Sequence, residues 1–208
     1  MAKIETIGVL GAGQMGGGIA QVAAAHGKTV LLADVDKARA EAGKAKIEKL
    51  LGRAVEKGKL TADARDATLA RIVPVDDVGA FGDAALAIEA ATENIELKRK
   101  LMRVLDGACK PGAILATNTS SISITLLAAE TKRPADVVGM HFMNPVPVMK
   151  LVEVIRGIAT DEPTFQAIQA LAAKLGKTTA VSEDFPAFIV NRILVPMINE
   201  AVYTLYEG

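Results

Sequence analysis

The stretch Gly11-Ala12-Gly13-Gln14-Met15-Gly16 decides the fold of this chain. It follows a short apolar run at residues 6–10 and opens a segment of small residues with helical spacing that ends near Gly27. A second run of branched residues, at 29–34, predicts another buried strand. Glycines spaced G-x-G-x-x-G between a strand and a helix are typical of a dinucleotide-binding βαβ unit, in which they allow a tight turn, close approach of a pyrophosphate and close helix packing.

Asp34 ends the second predicted strand, where a carboxylate can accept hydrogen bonds from both hydroxyls of a ribose. The same charge repels a ribose 2′-phosphate, so we expect NAD to be preferred over NADP. Lys37 and Arg39 lie close enough in sequence to soften this preference. The alternative interpretation is a glycine-rich turn followed by an aspartate that caps the next helix.

The rest of the chain alternates apolar runs with helical segments. This alternation predicts an α/β fold with a doubly wound, mostly parallel sheet of the Rossmann type, because each parallel pair of strands needs a crossover. The predicted strands after 29–34 lie at 85–90, 113–117, 137–142, 150–155 and 178–182, and the predicted helices at 93–109, 123–131 and 162–175.

Two segments interrupt the simple alternation. Residues 36–72 are predicted to form a helical excursion from the sheet, made of two charged amphipathic helices. Thr61 is the predicted N-cap of the second helix. The link between the strands at 137–142 and 150–155 is shorter than the dozen or so residues that a parallel crossover needs. We therefore expect the strand at 150–155 to be an antiparallel addition to the sheet.

The last segment, 187–207, is helical and apolar on most sides. Such a helix must be covered on most sides. We therefore assign residues 1–185 to a dinucleotide-binding domain and 186–208 to the first helix of an all-α domain whose remainder is absent. We also expect the chain to form a homo-oligomer through this helix.

The composition narrows the class of protein. The 208 residues include 24 Lys and Arg against 24 Asp and Glu, and 50% are apolar, which predicts a compact chain without a broad cationic surface for nucleic acid or anionic membranes. No apolar run approaches the ~20 residues that span a bilayer, and no signal-peptide pattern follows Met1. The lone Cys109 cannot form an internal disulfide and the histidines lack zinc-ligand spacing, so we expect a cytoplasmic protein without a metal.

A histidine general base would have to be His26 or His141. His26 ends a helix and is expected to be a solvated residue favourable to the helix dipole. His141 ends a parallel strand at the edge where ligands bind in open α/β sheets, and Glu153 lies on the returning strand within reach. A carboxylate there would orient the imidazole and raise its basicity. The alternative is a strand-end histidine beside a charged edge residue.

Polar residues also follow the strand at 113–117. The run Asn118-Thr119-Ser120-Ser121 lies at the same sheet edge as His141. Capping of the next helix by Ser121 or Ser123 explains part of this run. It leaves Ser120 free to face a ligand.

Four stretches together resemble one protein family. They are G-A-G-Q-M-G from residue 11, A-T-N-T-S-S from residue 116, H-F-M-N-P-V-P-V-M-K-L-V-E-V from residue 141 and N-R-I-L-V-P-M-I-N-E from residue 191. They resemble the L-3-hydroxyacyl-CoA dehydrogenases, in particular the bacterial branch that acts on 3-hydroxybutyryl-CoA, and the resemblance runs along the whole chain. It implies NAD-dependent oxidation of a 3-hydroxyacyl-CoA to a 3-ketoacyl-CoA.

The resemblance also implies roles for individual residues. His141 is the base and Glu153 its partner, Ser120 and Asn191 bind the C3 oxygen of the substrate, and Asn144 supports this network. The positions implied to contact the cofactor are Gly11, Gly13, Gln14, Met15, Gly16, Asp34, Ala90, Glu93, Lys98, Asn118, Ser120 and Asn144.

A basic stripe on the helical excursion is a candidate contact for coenzyme A. Lys46, Lys49, Arg53 and Lys57 follow helical spacing, so they lie on one face. The family places this excursion beside the coenzyme, and Lys57 is the best single candidate for a phosphate contact. A solvated helix face is the alternative, because such stripes are common.

Two departures from the family keep other functions open. Ala187 stands where the family usually has glycine, and the helical C-terminal domain is represented by little more than its first helix. The chain could therefore be a truncated NAD-binding domain with little or no turnover. It could also be a structural protein, as relatives of this family are in the eye lens.

Overall fold

The computed structural model describes residues 4–208 and shows a mixed sheet with helices on both faces. The strands are β1 (Thr6–Leu10), β2 (Thr29–Ala33), β3 (Ile72–Pro74), β4 (Leu86–Glu89), β5 (Ile114–Thr117), β6 (Val137–Phe142), β7 (Leu151–Arg156) and β8 (Thr178–Glu183). The helices are α1 (Gln14–Ala25), α2 (Lys37–Glu56), α3 (Ala62–Ala70), α4 (Ile95–Ala108), α5 (Ile124–Ala128), α6 (Glu162–Lys174) and α7 (Val190–Glu207).

The strands follow the order β3-β2-β1-β4-β5-β6-β7-β8. All neighbouring strands are parallel except β6 and β7. The predicted doubly wound sheet and its antiparallel addition are therefore confirmed. In the β6–β7 register His141 lies directly opposite Glu153, so the short link brings the two candidate catalytic residues together.

The predicted excursion needs one correction. Its two helices, α2 and α3, are present, and Thr61 caps α3 by accepting a hydrogen bond from the Ala64 N–H at 3.2 Å. However, Ile72, the last residue of the predicted excursion, begins the edge strand β3 (Ile72–Pro74), which is parallel to β2 and was not predicted. A strand of three residues shows no readable alternation, and its proline is tolerated because it lies at an edge.

Apolar side chains cover both faces of the sheet. Ile19 of α1, Ile47 of α2 and Ile168 of α6 are buried in one layer, whereas Met102 of α4 and Leu127 of α5 are buried in the other. The central strands β4, β5 and β6 are buried along their whole length. Ligands can therefore reach these strands only at their ends, as in other open α/β sheets.

Helix α7 differs from the other helices because it has no buried residue. Apolar side chains such as Ile193, Val195, Ile198 and Val202 are between 53% and 63% exposed. The assignment of 186–208 to a second domain stays a prediction. No helix within residues 4–208 has the length and apolar character needed to cross a membrane.

Candidate active site

The glycine-rich loop joins β1 to α1. Gly11 has a φ of 106°, a left-handed conformation that favours glycine. A Cβ on Gly16 would lie 1.7 Å from the carbonyl oxygen of Gly11, so the helix can approach the loop this closely only without a side chain there. A Cβ added to Gly13, by contrast, would have no heavy atom within 4 Å. The space over Gly13 at the start of α1 is therefore open for a phosphate group.

Asp34 follows β2 and stabilises the loop directly. Its Oδ2 accepts a hydrogen bond from the Ala12 N–H at 2.6 Å, and its Oδ1 accepts one from the Val35 N–H at 2.8 Å. The alternative of a helix-capping aspartate is wrong, because the cap of α2 is Asp36, which accepts from the Arg39 N–H at 2.8 Å. Asp34 thus lies beside the glycine-rich loop, where it also lines a cavity.

Arg39 and Lys37, the two cations near Asp34 in the sequence, form ion pairs with different partners. The Arg39 Nε lies 3.5 Å from Asp34 Oδ1, whereas the Lys37 Nζ lies 3.4 Å from Asp76 Oδ1. Arg39 and Asp34 also line one cavity together. Of the two residues expected to soften the cofactor preference, only Arg39 is placed to do so.

Two adjoining cavities run along the carboxyl ends of the parallel strands. The first, of about 360 Å³, is lined by residues that include Asp34, Val35, Arg39 and Leu97. The second, of about 640 Å³, is lined by Met15, Ala90, Ala91, Glu93, Asn118, Ser120, His141, Phe142, Met143, Asn144, Met149, Val190, Asn191 and Leu194. Both cavities share Ala90 and Ala91, so they form one continuous groove, called the strand-end groove below.

His141 lines the second cavity and forms a buried pair with Glu153. His141 Nδ1 lies 2.7 Å from Glu153 Oε2, the histidine is 7% exposed and the glutamate 0%. Glu153 Oε1 accepts hydrogen bonds from the Ile189 and Val190 N–H groups, both at 2.9 Å. Burial alone would raise the pKa of the Glu153 carboxyl, but the hydrogen bonds from His141 and from these N–H groups hold that pKa below its usual value. The carboxylate therefore orients the imidazole and leaves Nε2 for chemistry in the cavity.

Ser120 lies beside this pair in the loop after β5. Its N–H donates to Glu93 Oε1 at 3.0 Å, and its carbonyl accepts from Asn191 Nδ2 at 3.3 Å. Asn191 is in the first turn of α7. Of the two serines expected to cap α5, Ser123 does so by accepting from the Leu126 N–H at 3.2 Å. Ser120 and Asn191 thus face the cavity that His141 lines.

The other predicted contacts occupy different positions around the groove. Asn118 Oδ1 accepts from the Phe142 N–H at 2.9 Å, and Gln14 Nε2 donates to Asn144 Oδ1 at 3.0 Å. Met15, Ala90 and Glu93 line the second cavity. The implied cofactor contact of Lys98 stays a prediction, because its side chain is only 1% exposed and lies beneath the groove.

The basic stripe on α2 faces partly into a third cavity. This cavity, of about 370 Å³, lies next to the glycine-rich loop and is lined by residues that include Lys46, Leu50, Asn144 and Val146. Lys57 is the exposed C-cap of α2. Within the basic stripe, Lys46 is therefore the residue that lines this cavity. Helical spacing alone does not distinguish Lys46 from the other three cations.

Comparisons with known proteins agree with this architecture. Residues 6–185 match the family model for the NAD binding domain of 3-hydroxyacyl-CoA dehydrogenase. A 3-hydroxybutyryl-CoA dehydrogenase from Bradyrhizobium diazoefficiens is 57% identical over 207 residues, which cover 100% of this chain and 71% of that protein. The crystal structure of (S)-3-hydroxybutyryl-CoA dehydrogenase PaaH1 from Ralstonia eutropha matches with a TM-score of 0.96 and 47% identity, covering 99% of this chain and 73% of that one. FadB2 from M. tuberculosis gives the same TM-score at 41% identity, with coverage of 100% and 73%.

Proposed function

Because this chain belongs to the 3-hydroxyacyl-CoA dehydrogenase family, we propose that it oxidises (S)-3-hydroxyacyl-CoA to 3-ketoacyl-CoA with NAD. We propose 3-hydroxybutyryl-CoA as its substrate, since that is the substrate in the names of similar proteins. The observation that carries the proposal is that His141, paired with the buried Glu153, lines one cavity together with Ser120 and Asn191. The same groups serve the reverse reduction.

The chain's own residues supply proton transfer and orientation. His141 accepts the proton of the substrate hydroxyl at Nε2, because Nδ1 is held by Glu153. The Glu153 carboxylate then stabilises the imidazolium that forms. Ser120 and Asn191 hold the C3 oxygen close to the imidazole. Bound NAD supplies the acceptor for the hydride that leaves C3.

The features of the groove fit NAD. The open space over Gly13 and the N-terminus of α1 suit the pyrophosphate, and Asp34 suits the adenosine ribose. The cavities on either side of the glycine-rich loop are lined by further predicted cofactor contacts, namely Gln14, Met15, Ala90, Glu93 and Asn144. We further propose that Lys46 and Lys57 bind phosphate groups of coenzyme A. Lys46 lines the third cavity, and Lys57 is the exposed C-cap of the same helix.

Steady-state formation of NADH tests the proposed activity. We expect NADH to form with (S)-3-hydroxybutyryl-CoA, and assays with longer 3-hydroxyacyl chains show how far the activity extends. NAD binding measured by calorimetry without turnover of any of these substrates would contradict the proposal, because it would leave only a binding domain. Assays of the chain beside a full-length relative would show how much the additional residues of the relative contribute.

NAD is expected to bind more tightly than NADP, and Asp34→Asn is expected to reduce the difference by about tenfold. The amide keeps an acceptor for the Ala12 N–H, although it loses the one for the Val35 N–H. It removes the charge that repels a 2′-phosphate, so Arg39 can face that phosphate. Calorimetric titration with both cofactors measures the effect. Lys37→Ala is the control and should leave the ratio unchanged, since Lys37 pairs with Asp76. Tighter binding of NADP to the unmodified protein would contradict this assignment.

We propose that residues 186–208 begin a second, helical unit and that a second copy of the chain covers the exposed apolar face of α7. At ~25 cal/mol per Å², burial of a few hundred Å² supplies several kcal/mol for association. Light scattering at micromolar concentration should therefore show a dimer or larger oligomer. Val202→Lys should shift it towards monomer, whereas Glu200→Gln on the same helix should not. A stable monomer of the unmodified chain would contradict the proposal.

We also propose a cytoplasmic location. The only cysteine, Cys109, is buried as a free thiol, and burial raises its pKa. A structure that depends on no disulfide suits a reducing compartment. Fractionation of cells that express the protein would test this location.

A further inference from the structure

Three charged side chains meet at the floor of the strand-end groove, where Glu93 lines the groove and the other two are buried. Glu89 ends β4, Glu93 follows in the next loop and Lys98 lies in the first turn of α4. The Lys98 Nζ is 2.8 Å from both carboxylate oxygens of Glu89 and 3.4 Å from Glu93 Oε2. The side chains of Glu89 and Lys98 are 0% and 1% exposed. A charge buried to this extent requires a partner, and here each has one.

Glu89 joins two loops of the groove. Besides Lys98, its Oε1 accepts from the Ala91 N–H and its Oε2 accepts from Thr117 Oγ1, both at 2.7 Å. Ala91 lies in the loop after β4 and lines both cavities of the groove. Thr117 ends β5, directly before the loop that contains Ser120. One buried carboxylate thus fixes the starts of both loops.

Glu93 continues this network to the loop that contains Ser120. Its Oε1 accepts hydrogen bonds from Thr119 Oγ1, from the Ser120 N–H at 3.0 Å and from Ser121 Oγ at 3.3 Å. Burial alone would raise the pKa of the Glu93 carboxyl, but the Thr119 hydrogen bond, the charge of Lys98 and the Ser120 N–H lower it overall. Glu93 therefore has one oxygen on the Ser120 loop and the other facing Lys98. Lys98, which lies between the two carboxylates, restrains it in this position.

The residues that Glu89 and Glu93 contact indicate more than a packing role for this network. A buried ion pair is weak evidence for stability, because an apolar pair of similar volume often serves as well. The contacts of Glu89 and Glu93 lead to Ala91 and Ser120, which line the groove. By contrast, the Arg133–Asp106 pair at 2.7 Å connects α4 to the segment before β6 and lines none of the three cavities around the glycine-rich loop.

We propose that Glu89 is a positioning residue for the dinucleotide and for Ser120. Through Lys98 and Glu93 its carboxylate holds the loops after β4 and β5 in the arrangement that the ligands need, before either ligand binds. This inference rests on the proposed function, because it takes NAD as the occupant of the groove. Without the Glu89 charge, Lys98 would pair with Glu93 alone and draw it from the Ser120 loop.

Glu89→Gln tests the proposal, because it keeps the size of the side chain and an acceptor but removes the charge. We expect the Kd for NAD, measured by calorimetry well below the unfolding temperature, to rise at least about tenfold. The KM for the acyl-CoA substrate should rise as well, because the Ser120 loop loses its restraint. Asp106→Asn is the matched control. It should lower the unfolding temperature and leave the Kd for NAD unchanged.

Thr117→Val keeps the test decisive where Glu89→Gln does not fold. It removes the hydrogen bond to Glu89 and the weaker one that Thr117 Oγ1 accepts from the Thr119 N–H at 3.3 Å, and it leaves every charge in place. The Kd for NAD should therefore rise about fivefold. A lower unfolding temperature with an unchanged Kd in these variants would overturn the proposal and leave Glu89 a purely structural residue. Failure of the unmodified protein to bind NAD would instead contradict the proposed function, so the two failures are distinguishable.

Discussion

His141→Ala is expected to lower turnover by roughly 10²–10⁴-fold, the usual contribution of general acid–base catalysis, and to leave the affinity for NAD nearly unchanged. The imidazole lies in the second cavity with Ser120 and Asn191, and it does not line the first cavity, which contains Asp34. Steady-state kinetics and calorimetry measure the two effects separately. Near-normal turnover would show that another group takes the proton.

Glu93 is the strongest alternative to His141 as the general base, but its geometry suits the role less well. Glu93 also lines the second cavity, but one of its oxygens already accepts three hydrogen bonds and the other faces Lys98. His26→Ala is the matched control, because His26 ends α1 with Nδ1 2.8 Å from the Val22 carbonyl oxygen and lines neither cavity of the groove. We expect near-normal turnover for that variant.

Glu153→Gln should slow the reaction through the same imidazole. The amide lacks the charge that stabilises imidazolium, so proton abstraction becomes less favourable. Its oxygen can still accept from the Ile189 and Val190 N–H groups, so α7 keeps its anchor. Slower turnover with an unchanged helical circular dichroism signal would therefore separate the catalytic effect of Glu153 from its structural one.

The sequence predicted the parts of the fold that depend on local pattern. The turn at Gly11, the buried strands around it and the antiparallel return of β7 follow from glycine spacing, apolar runs and the length of one link. The return also placed Glu153 opposite His141, because register follows once the link is short. Among the strands within residues 4–208, the edge strand β3 was missed, since Ile72–Pro74 is too short to show a period.

Contacts between distant segments were harder to predict. Asp184 accepts hydrogen bonds from Ser123 Oγ, the Ile124 N–H and the Thr125 N–H, so α5 is capped by a residue about sixty positions away. No spacing rule reports such a contact. The contacts of Glu89 were missed for the same reason, because a glutamate within an apolar strand does not indicate which lysine will pair with it.

One departure from the family becomes interpretable in the structure. Ala187 and Phe188 have φ values of 65° and 53°, so the backbone before α7 is left-handed at two residues that are not glycine. Phe188 is 3% exposed, and its ring lies 6.0 Å from that of His141. The position where the family usually has glycine thus requires a conformation that glycine adopts most easily. The segment retains this conformation with alanine.

Gly16→Ala is expected to destabilise the folded chain by at least about 3 kcal/mol and to abolish measurable NAD binding. The added Cβ would lie 1.7 Å from the Gly11 carbonyl oxygen and 2.9 Å from the Gly11 carbonyl carbon. Both are backbone atoms of the turn after β1, so neither can move without displacing the loop or α1. Thermal unfolding measures the loss of stability. An unfolding temperature equal to that of the unmodified protein would mean that the helix lies farther from the loop than the structure shows.

Gly13→Ala is the matched variant, because it adds the same methyl group three positions before Gly16 in the same glycine-rich loop. Gly13 has a φ of −71°, which alanine adopts without strain, and no heavy atom lies within 4 Å of the added Cβ. The unfolding temperature should therefore stay unchanged, while the affinity for NAD falls at least about tenfold because the methyl group occupies the space for the pyrophosphate. Stability lost at Gly16 and affinity lost at Gly13 would separate the two functions of the motif. Normal NAD binding by a well-folded Gly13→Ala variant would place the pyrophosphate elsewhere.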